Sequence, residues 1–432
     1  MVILLSGTRF HHRMPAEDND VPVILAPFRV RSFRFQWPAD LLTSLAFEME
    51  TVILSWYVMV ETGSVLLLTT FASLLFLGTL AAPMFGVLSD RLGARNLLAV
   101  MRVVYTALAA LLMLLAFSGR LSPLWAFVVA VPAGIVRPND QVLRNILVGE
   151  TMPAPQLMGA LGLSRATMDS ARVVGSLAGA GLFAALGLGS AYVLVVALYA
   201  ASFVLTLGMS QRRPVPVPVG EEPAAGDAVA GVSGLHDLIE GLLHVWRTPA
   251  LVSALWLAFL INLTAYPISG GLLAYIARAV YHTDATGLGR LAASFSLGAL
   301  VGSVAFVLTG GPRRPERAML VHATLWYGVL LAFGFVGTLG GGMVALFLAG
   351  VVQSVAMISL AAWLLIVVDD RFRGRVMGVR MLAVYGLPLG LMAAGALIDL
   401  IGYTPTIAAL TVTGLVFTAL IGLRWRAALW SA

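Results

Sequence analysis

Cysteine is absent from the 432 residues, and so is lysine: all 27 basic residues are arginine. Without cysteine there is neither a disulfide framework nor a thiolate metal site. Charge is scarce as well, at 11% of residues against 59% hydrophobic. A soluble fold carries polar side chains over about half of its surface, which this composition cannot supply. No phosphate-binding P-loop, Gly-x-Ser-x-Gly or His-Glu-x-x-His occurs, and the six histidines have no ligand spacing. The sequence therefore offers no catalytic constellation, no metal site and no cofactor motif. What remains is an all-α polytopic membrane protein.

A helix that crosses the hydrocarbon layer needs about 20 largely apolar residues. Twelve such runs can be placed, at 39–61, 65–88, 96–118, 123–147, 157–182, 188–209, 250–273, 287–309, 318–338, 342–367, 377–398 and 404–424. They divide into a first six-helix bundle over 36–210 and a second over 250–425, with a tail at 1–35 and a short end at 426–432. Residues 211–249 join the bundles. Their first part, QRRPVPVPVGEEPAAGDAVAGVSG from Gln211, is a Pro- and Gly-containing linker. Next, LHDLIEGLLHVWR sets Leu235, Leu238, Ile239 and Leu242 on one helical face. That helix either lies on the membrane surface or struts the two halves. In the tail, MVILLSGTRFHHR is too weakly apolar for a signal peptide, and APFRVRSFRFQW is read as lying along lipid headgroups.

The net charge of +6 sits at the ends of apolar runs, so it reads as membrane topology and not as a nucleic-acid surface. With the N-terminus inside, the inner segments hold Arg29, Arg31, Arg34, Arg91, Arg95, Arg212, Arg213, Arg313, Arg314, Arg317, Arg371, Arg373, Arg375, Arg424 and Arg426. The outer loops hold little beyond Arg120 and Arg278. Both termini are expected in the cytoplasm, with the chain in a bacterial inner membrane. The halves also echo each other. ETMPAPQLMGALGLS (150–164) matches DDRFRGRVMGVRMLA (369–383) at an offset of 219, which pairs Met158-Gly159 with Met377-Gly378 and Glu150 with Asp369. A repeat at half the chain length implies two bundles with a substrate path between them.

Between the second and third runs stands FGVLSDRLGARNLL (85–98), in which Gly86, Asp90, Arg91, Gly93 and Arg95 are spaced as G-x-x-x-D-R-x-G-x-R. It resembles the signature G-x-x-x-D-R-x-G-R-R of the major facilitator superfamily, departing at Ala94. RGRVMG before the eleventh run and TPALVSALWLAFLINL at the seventh are most similar to the siderophore- and drug-exporter branch. The resemblance implies a twelve-helix fold of two pseudo-symmetric bundles and an inward-side latch in this loop. Asp90 would reach the positive end of helix eleven near Gly378, and Arg91 or Arg95 would pair with Glu150. The alternative is that these charges only anchor the loop and set topology. In this superfamily helices two, five, eight and eleven meet across the halves. Small residues four apart recur there: Gly78, Ala82 and Gly86; Gly175 and Gly179; Gly298 and Gly302; Gly386 and Gly390.

An ionisable group inside a span costs several kcal/mol unless it faces water or a partner. Helix one carries Glu48 and Glu50, which a spacing of two puts on opposite sides. Glu48 is the preferred cavity residue and proton carrier, the alternative being a fixed helix–helix bond. Helix four carries Arg137, Asp140 and Arg144 along one face, broken by Pro132 and Pro138. Arg137 is assigned to an anionic substrate group or to Glu48; Asp140, with Glu50, completes the candidate path, although Asp140 and Arg144 also read as a structural ladder. Arg165, Asp169 and Arg172 on helix five are expected to pair with helix four, and Arg102 to snorkel to the inner face. The second half offers Asn262, Tyr266, Gln353 and Ser354 as polar cavity groups, with Met357, Trp256 and Trp363 as apolar surface.

These readings converge on a secondary transporter: a proton-coupled exporter of a small organic molecule, acting as a monomer in the bilayer with no cofactor. An importer of the same fold, a lipid flippase and a non-transporting receptor or scaffold are the alternatives.

Overall fold

The computed structural model describes residues 23–79, 81–210, 234–368 and 372–430. The tail 1–22 and most of the linker, 211–233, lie outside the described residues.

The first span, Arg31–Thr62, closes at Gly63, and Ser64 caps the next helix by accepting from the Leu67 amide. The second span is in pieces: Val65–Leu74, a 3-10 turn at Leu77–Thr79, and Ala82–Leu92. The third is Ala94–Phe117 and the fourth Pro123–Thr151. Ala154–Leu207 runs on until Gly187, at φ 77° and ψ 175°, divides it into the fifth and sixth spans. Gly93 divides the second from the third at φ 81° and ψ 140°. Both conformations are essentially closed to residues with a Cβ, so one glycine replaces a loop.

After a helix at Gly234–Arg247, the seventh span begins as Pro249–Thr264 and continues through π-helical turns at Pro267–Gly271 and Ile276–Val280. The eighth is Ala285–Leu308, the ninth Pro315–Phe333 and the tenth Leu339–Val367. The eleventh joins Arg373–Ala383 to Gly386–Ile401, the twelfth is Tyr403–Arg424, and a short helix Arg426–Trp430 follows. Ala154 and Arg373, which open the fifth and eleventh spans, stand 219 residues apart, the offset of the internal repeat.

Among the described residues eight helices are long and apolar enough to cross a membrane, the stretch divided at Gly187 counting once. The interrupted second span, the doubly proline-containing fourth and the short ninth complete the twelve.

Each half has its own core. In the first, Ile53, Leu98, Tyr105 and Leu112 are buried together; in the second, Trp326, Tyr327, Leu330 and Phe333. The halves meet where the second span packs on the eleventh and the fifth on the eighth. Ser73 Oγ donates to the Pro388 carbonyl at 3.1 Å, and the Tyr385 hydroxyl to the Leu77 carbonyl at 3.3 Å. A Cβ at Gly395 would lie 2.1 Å from Thr69 Oγ1, and one at Gly289 2.4 Å from Ala180 Cβ. These contacts run from mid-span toward the end carrying Gly63, Gly187 and Gly402.

The small-residue rows do a different job from the one expected of them. A Cβ on Gly78 would strike the Ile135 carbonyl of the fourth span at 1.9 Å. Gly175 and Gly179 press on Glu48 and Met49 of the first span, Gly298 and Gly302 on Phe347 and Val351 of the tenth, Gly386 and Gly390 on Phe259 and Leu263 of the seventh. All of these are neighbours within one half. Packing inside each bundle uses these closest approaches, and among the described glycines Gly289 and Gly395 serve the seam between halves.

The segment at 28–37, expected along the headgroups, turns its aromatic side chains onto the first half. Phe33 is fully buried with Val148, Met152 and Ala160 at the ends of the fourth and fifth spans, and Phe28 stands edge-on to Phe33 and Trp37. Arg31 and Arg34 remain exposed. The Gly234–Arg247 helix packs on the seventh and eleventh spans, both of the second half, with His244 stacked on Phe372 at 4.2 Å.

Candidate functional site: charged groups within and between the halves

The ionisable residues of the first half separate into three groups by depth and direction. The first is closed. Arg102, with 0% side-chain exposure, donates to Asp40 Oδ1 at 2.6 Å and to Ser202 Oγ at 2.5 Å. Arg144 pairs with Asp140, stands 3.5 Å from Asp40 Oδ1, and donates to Ser44 Oγ at 2.9 Å. Two arginines and two aspartates balance, tying the first, third, fourth and sixth spans together. Arg102 therefore does not snorkel: a partner at its own depth removes the need to reach water. Asp140, 3% exposed, leaves the candidate path and joins this structural cluster.

The second group surrounds Glu50. Tyr199 donates to Glu50 at 2.9 Å and Tyr192 at 3.5 Å, and Arg137 stands 4.0 Å away. Arg137 also donates to the Phe47 carbonyl at 2.5 Å and lies over the Phe47 ring at 4.3 Å. Glu50 thus turns toward the sixth span, opposite to Glu48, and its pair with Arg137 is internal to the half. The fourth span's Asn139, which sequence reasoning passed over, donates Nδ2 to the carbonyls of Ile135 and Gly78, joining the proline-containing fourth span to the broken second.

The third group faces the other half. Glu48, 30% exposed, pairs with Arg172 at 3.4 Å, and Arg172 is 41% exposed. Asp169 holds Arg172 at 3.6 Å and Arg165 at 3.2 Å. The fifth-span set therefore pairs with the first span and within itself, not with the fourth. Across the gap, Tyr266 of the seventh span is within electrostatic reach of Arg172, Arg165 and the eleventh span's Arg380. Gln353 of the tenth span donates Nε2 to the Tyr266 hydroxyl at 2.7 Å, and the Tyr266 ring stands edge-on to Trp326 at 5.1 Å.

Two expected cavity residues lie elsewhere. Asn262 is buried, donates to the Ala258 carbonyl at 2.9 Å and packs beside Gly386 of the eleventh span. Trp256 lines a surface groove with Trp246, Val252 and Leu382, beside the Gly234–Arg247 helix. Both were placed by helix membership, whereas their rotation about the seventh span decides their direction. Asp40 and Arg380, like Asn139, Tyr192 and Tyr199, are residues the sequence does not single out. Counting charges would have found Asp40: Arg102, Arg137, Arg144, Arg165 and Arg172 outnumber Glu48, Glu50, Asp140 and Asp169 by one, and Asp40 closes the balance.

In the inter-span loop Arg91 is exposed, while Arg95 donates to the Thr206 carbonyl at 3.3 Å and the Leu207 carbonyl at 2.5 Å. It thereby holds the loop to the end of the sixth span, where backbone carbonyls carry the negative end of the helix dipole. The side chains of Asp90 and Met377, and the surroundings of Gly86 and Gly378, lie outside the described residues. No group of three or more His, Asp or Glu that could hold a metal occurs among the described residues.

Comparison with known proteins agrees with this architecture. No curated protein matches the sequence. The fold is shared with solved structures at low identity, a level that shows the fold alone. A bacterial homolog of the human lysosomal transporter Spinster, inward-facing and unoccupied, has TM-score 0.67 at 14% identity over 93% of this chain and 97% of its own. The nucleoside transporter NupG has TM-score 0.66 at 15% identity, over 92% and 98%. A POT family transporter in complex with 5-aminolevulinic acid has TM-score 0.71 at 12% identity, over 92% and 97%. The family model of the Major Facilitator Superfamily matches residues 37–387. With twelve spans in two packed halves and that match over most of its length, the chain belongs to the Major Facilitator Superfamily.

Proposed function

We propose that this membrane transporter is a proton-coupled exporter of a small organic molecule, working as a monomer by rocking its two halves about the face between them. The observation that carries the reading is the Glu48–Arg172 pair, a partly exposed carboxylate and guanidinium at the face between the halves. Charges at membrane depth are retained where they face a water-filled path, and protonation of Glu48 breaks the pair. Arginine density supports cytoplasmic termini in a bacterial inner membrane. On that orientation the contacts through Gly289 and Gly395 close the outer side, and the motif at Asp90, Arg91 and Arg95 latches the inner side in the opposite state. Export draws its support from the likeness of RGRVMG and the seventh-span opening to the siderophore- and drug-exporter branch.

The same pair favours uptake as a second reading. If proton and substrate bind together at Glu48 and Arg172, they travel together.

The test is paired metabolite profiling of cells and medium from wild type, a deletion strain, and a strain carrying Glu48→Gln. A compound retained inside the deletion and variant cells and missing from their medium establishes export. One left unconsumed in the medium establishes uptake. No difference between the strains under any growth condition refutes proton-driven transport of a soluble metabolite.

A further inference from the structure

The third group of charges carries more than coupling. Within electrostatic reach of Tyr266 stand three arginines, Arg165, Arg172 and Arg380, and the first two are paired with two carboxylates, Glu48 and Asp169. Asp169 is buried and already shared between Arg165 and Arg172, one on each oxygen. Glu48 takes the remaining valence of Arg172. Among the described residues Arg380 has no carboxylate partner, and its electrostatic neighbour is the Tyr266 hydroxyl. The more open groups are cationic: Arg165 is 63% and Arg172 41% exposed, against 30% for Glu48. Tyr266 adds a further donor, because its oxygen accepts from Gln353 and its own proton is left to give. A wall of guanidinium N–H and phenol O–H groups, one positive charge in excess and set among membrane spans, recognises an acceptor that carries negative charge.

We infer that the space between Arg172, Arg380 and Tyr266 binds the carboxylate of a small organic anion, with one proton taken up at Glu48 for each anion bound. The inference rests on the transporter reading in its second form, uptake with a proton, and names the substrate class. The linkage follows from geometry. Glu48 pairs with Arg172 of the fifth span, which also holds Asp169, and is within electrostatic reach of Arg137 of the fourth, while Glu50 on its own span points to Tyr199. An anion that takes the Arg172 guanidinium leaves the Glu48 carboxylate without its partner cation, and a proton taken up there restores the charge balance of the group. Anion affinity then rises as pH falls.

Three probes that share a ring and differ in charge test this: benzoate, benzyl alcohol and benzylamine, added to the purified full-length protein in detergent and read by thermal unfolding. Benzoate is expected to raise the unfolding temperature saturably, while the alcohol and the amine do not. Its affinity should improve on acidification, by at most about tenfold per pH unit, the limit for one linked proton. Arg172→Gln and Arg380→Gln should each weaken it by roughly tenfold or more, the worth of a charge-assisted hydrogen bond. Glu48→Gln should keep benzoate binding and lose its pH dependence, which separates a binding role from a misfolded variant. Stabilisation by benzylamine or benzyl alcohol equal to that by benzoate, benzoate binding unchanged in both arginine variants, or no shift from any probe would overturn the anion site. Metabolite profiling assumes no substrate charge, so it still decides transport by itself after such a failure.

Discussion

Replacing Asp40 by Asn should be among the most destabilising single changes in the first half. Asp40 is the carboxylate that both Arg102 and Arg144 approach, at 2.6 and 3.5 Å. Arg144 keeps Asp140 after the change, but Arg102 keeps only the hydroxyl and carbonyl of Ser202. The cluster passes from neutral to one uncompensated positive charge around a guanidinium with 0% exposure. Breaking a buried pair by removing one partner costs about 3–5 kcal/mol, and the lower half applies here because the Asn oxygen still accepts one hydrogen bond. Unfolding followed by the fluorescence of the nine tryptophans in detergent should show a fall on the order of 10 °C. The double variant Asp40→Asn with Arg102→Met removes the stranded charge and should recover much of the loss, since apolar replacement of a whole buried pair is often neutral. A single variant within about 1 kcal/mol of wild type would refute the reasoning, as would a double variant less stable than the single. Either result would mean that Arg102 finds water or a lipid phosphate.

Gly395→Val places atoms where a Cβ already meets Thr69 Oγ1 at 2.1 Å, so it should force that end of the seam apart. Because the chain lacks native cysteine, spin labels at Thr62→Cys and Leu400→Cys report the change as a longer distance distribution; an unchanged distribution would refute the seam. Gly93→Ala should cost about 1–3 kcal/mol in thermal unfolding, since its φ of 81° with ψ of 140° admits essentially glycine alone. Asp284 caps the eighth span by accepting from the Gly287 amide at 3.1 Å. The hydrogen bond from Thr286, above all, holds its carboxyl below the usual range. Because its folded-state pKa is depressed, its contribution is complete at neutral pH and fades as pH falls through that value. Asp284→Ala should therefore cost about 1 kcal/mol at pH 7, a difference from wild type that shrinks in acid.

Several features of the site were legible as positions but not as partners. Helix patterning marked Arg137, Asp140, Arg144, Arg165, Asp169 and Arg172 as costly charges on two faces, and the alternation at Glu48 and Glu50 put them on opposite sides of the first span. The structure keeps that opposition, with Glu50 on Tyr199 and Glu48 on Arg172. It reassigns the fifth-span charges from the fourth span to the first, and Arg102 from the inner face to Asp40. The glycine rows were recognised as close approaches, but their partners proved to be neighbours in the same half.

What the sequence determined by itself was the solvent of the fold and the order of its pieces. Apolar runs long enough for a bilayer, the arginine-marked ends, the 219-residue repeat and the Gly86–Arg95 motif are local or periodic signals, which a linear reading preserves. Tertiary structure decided which charges meet and which face the path. Asp40 stands 62 and 104 residues from the arginines it holds, and the Tyr266–Gln353 bond spans 87. Such pairings depend on the depth and rotation of separate helices, set by side-chain packing across each bundle. No spacing within one helix encodes them.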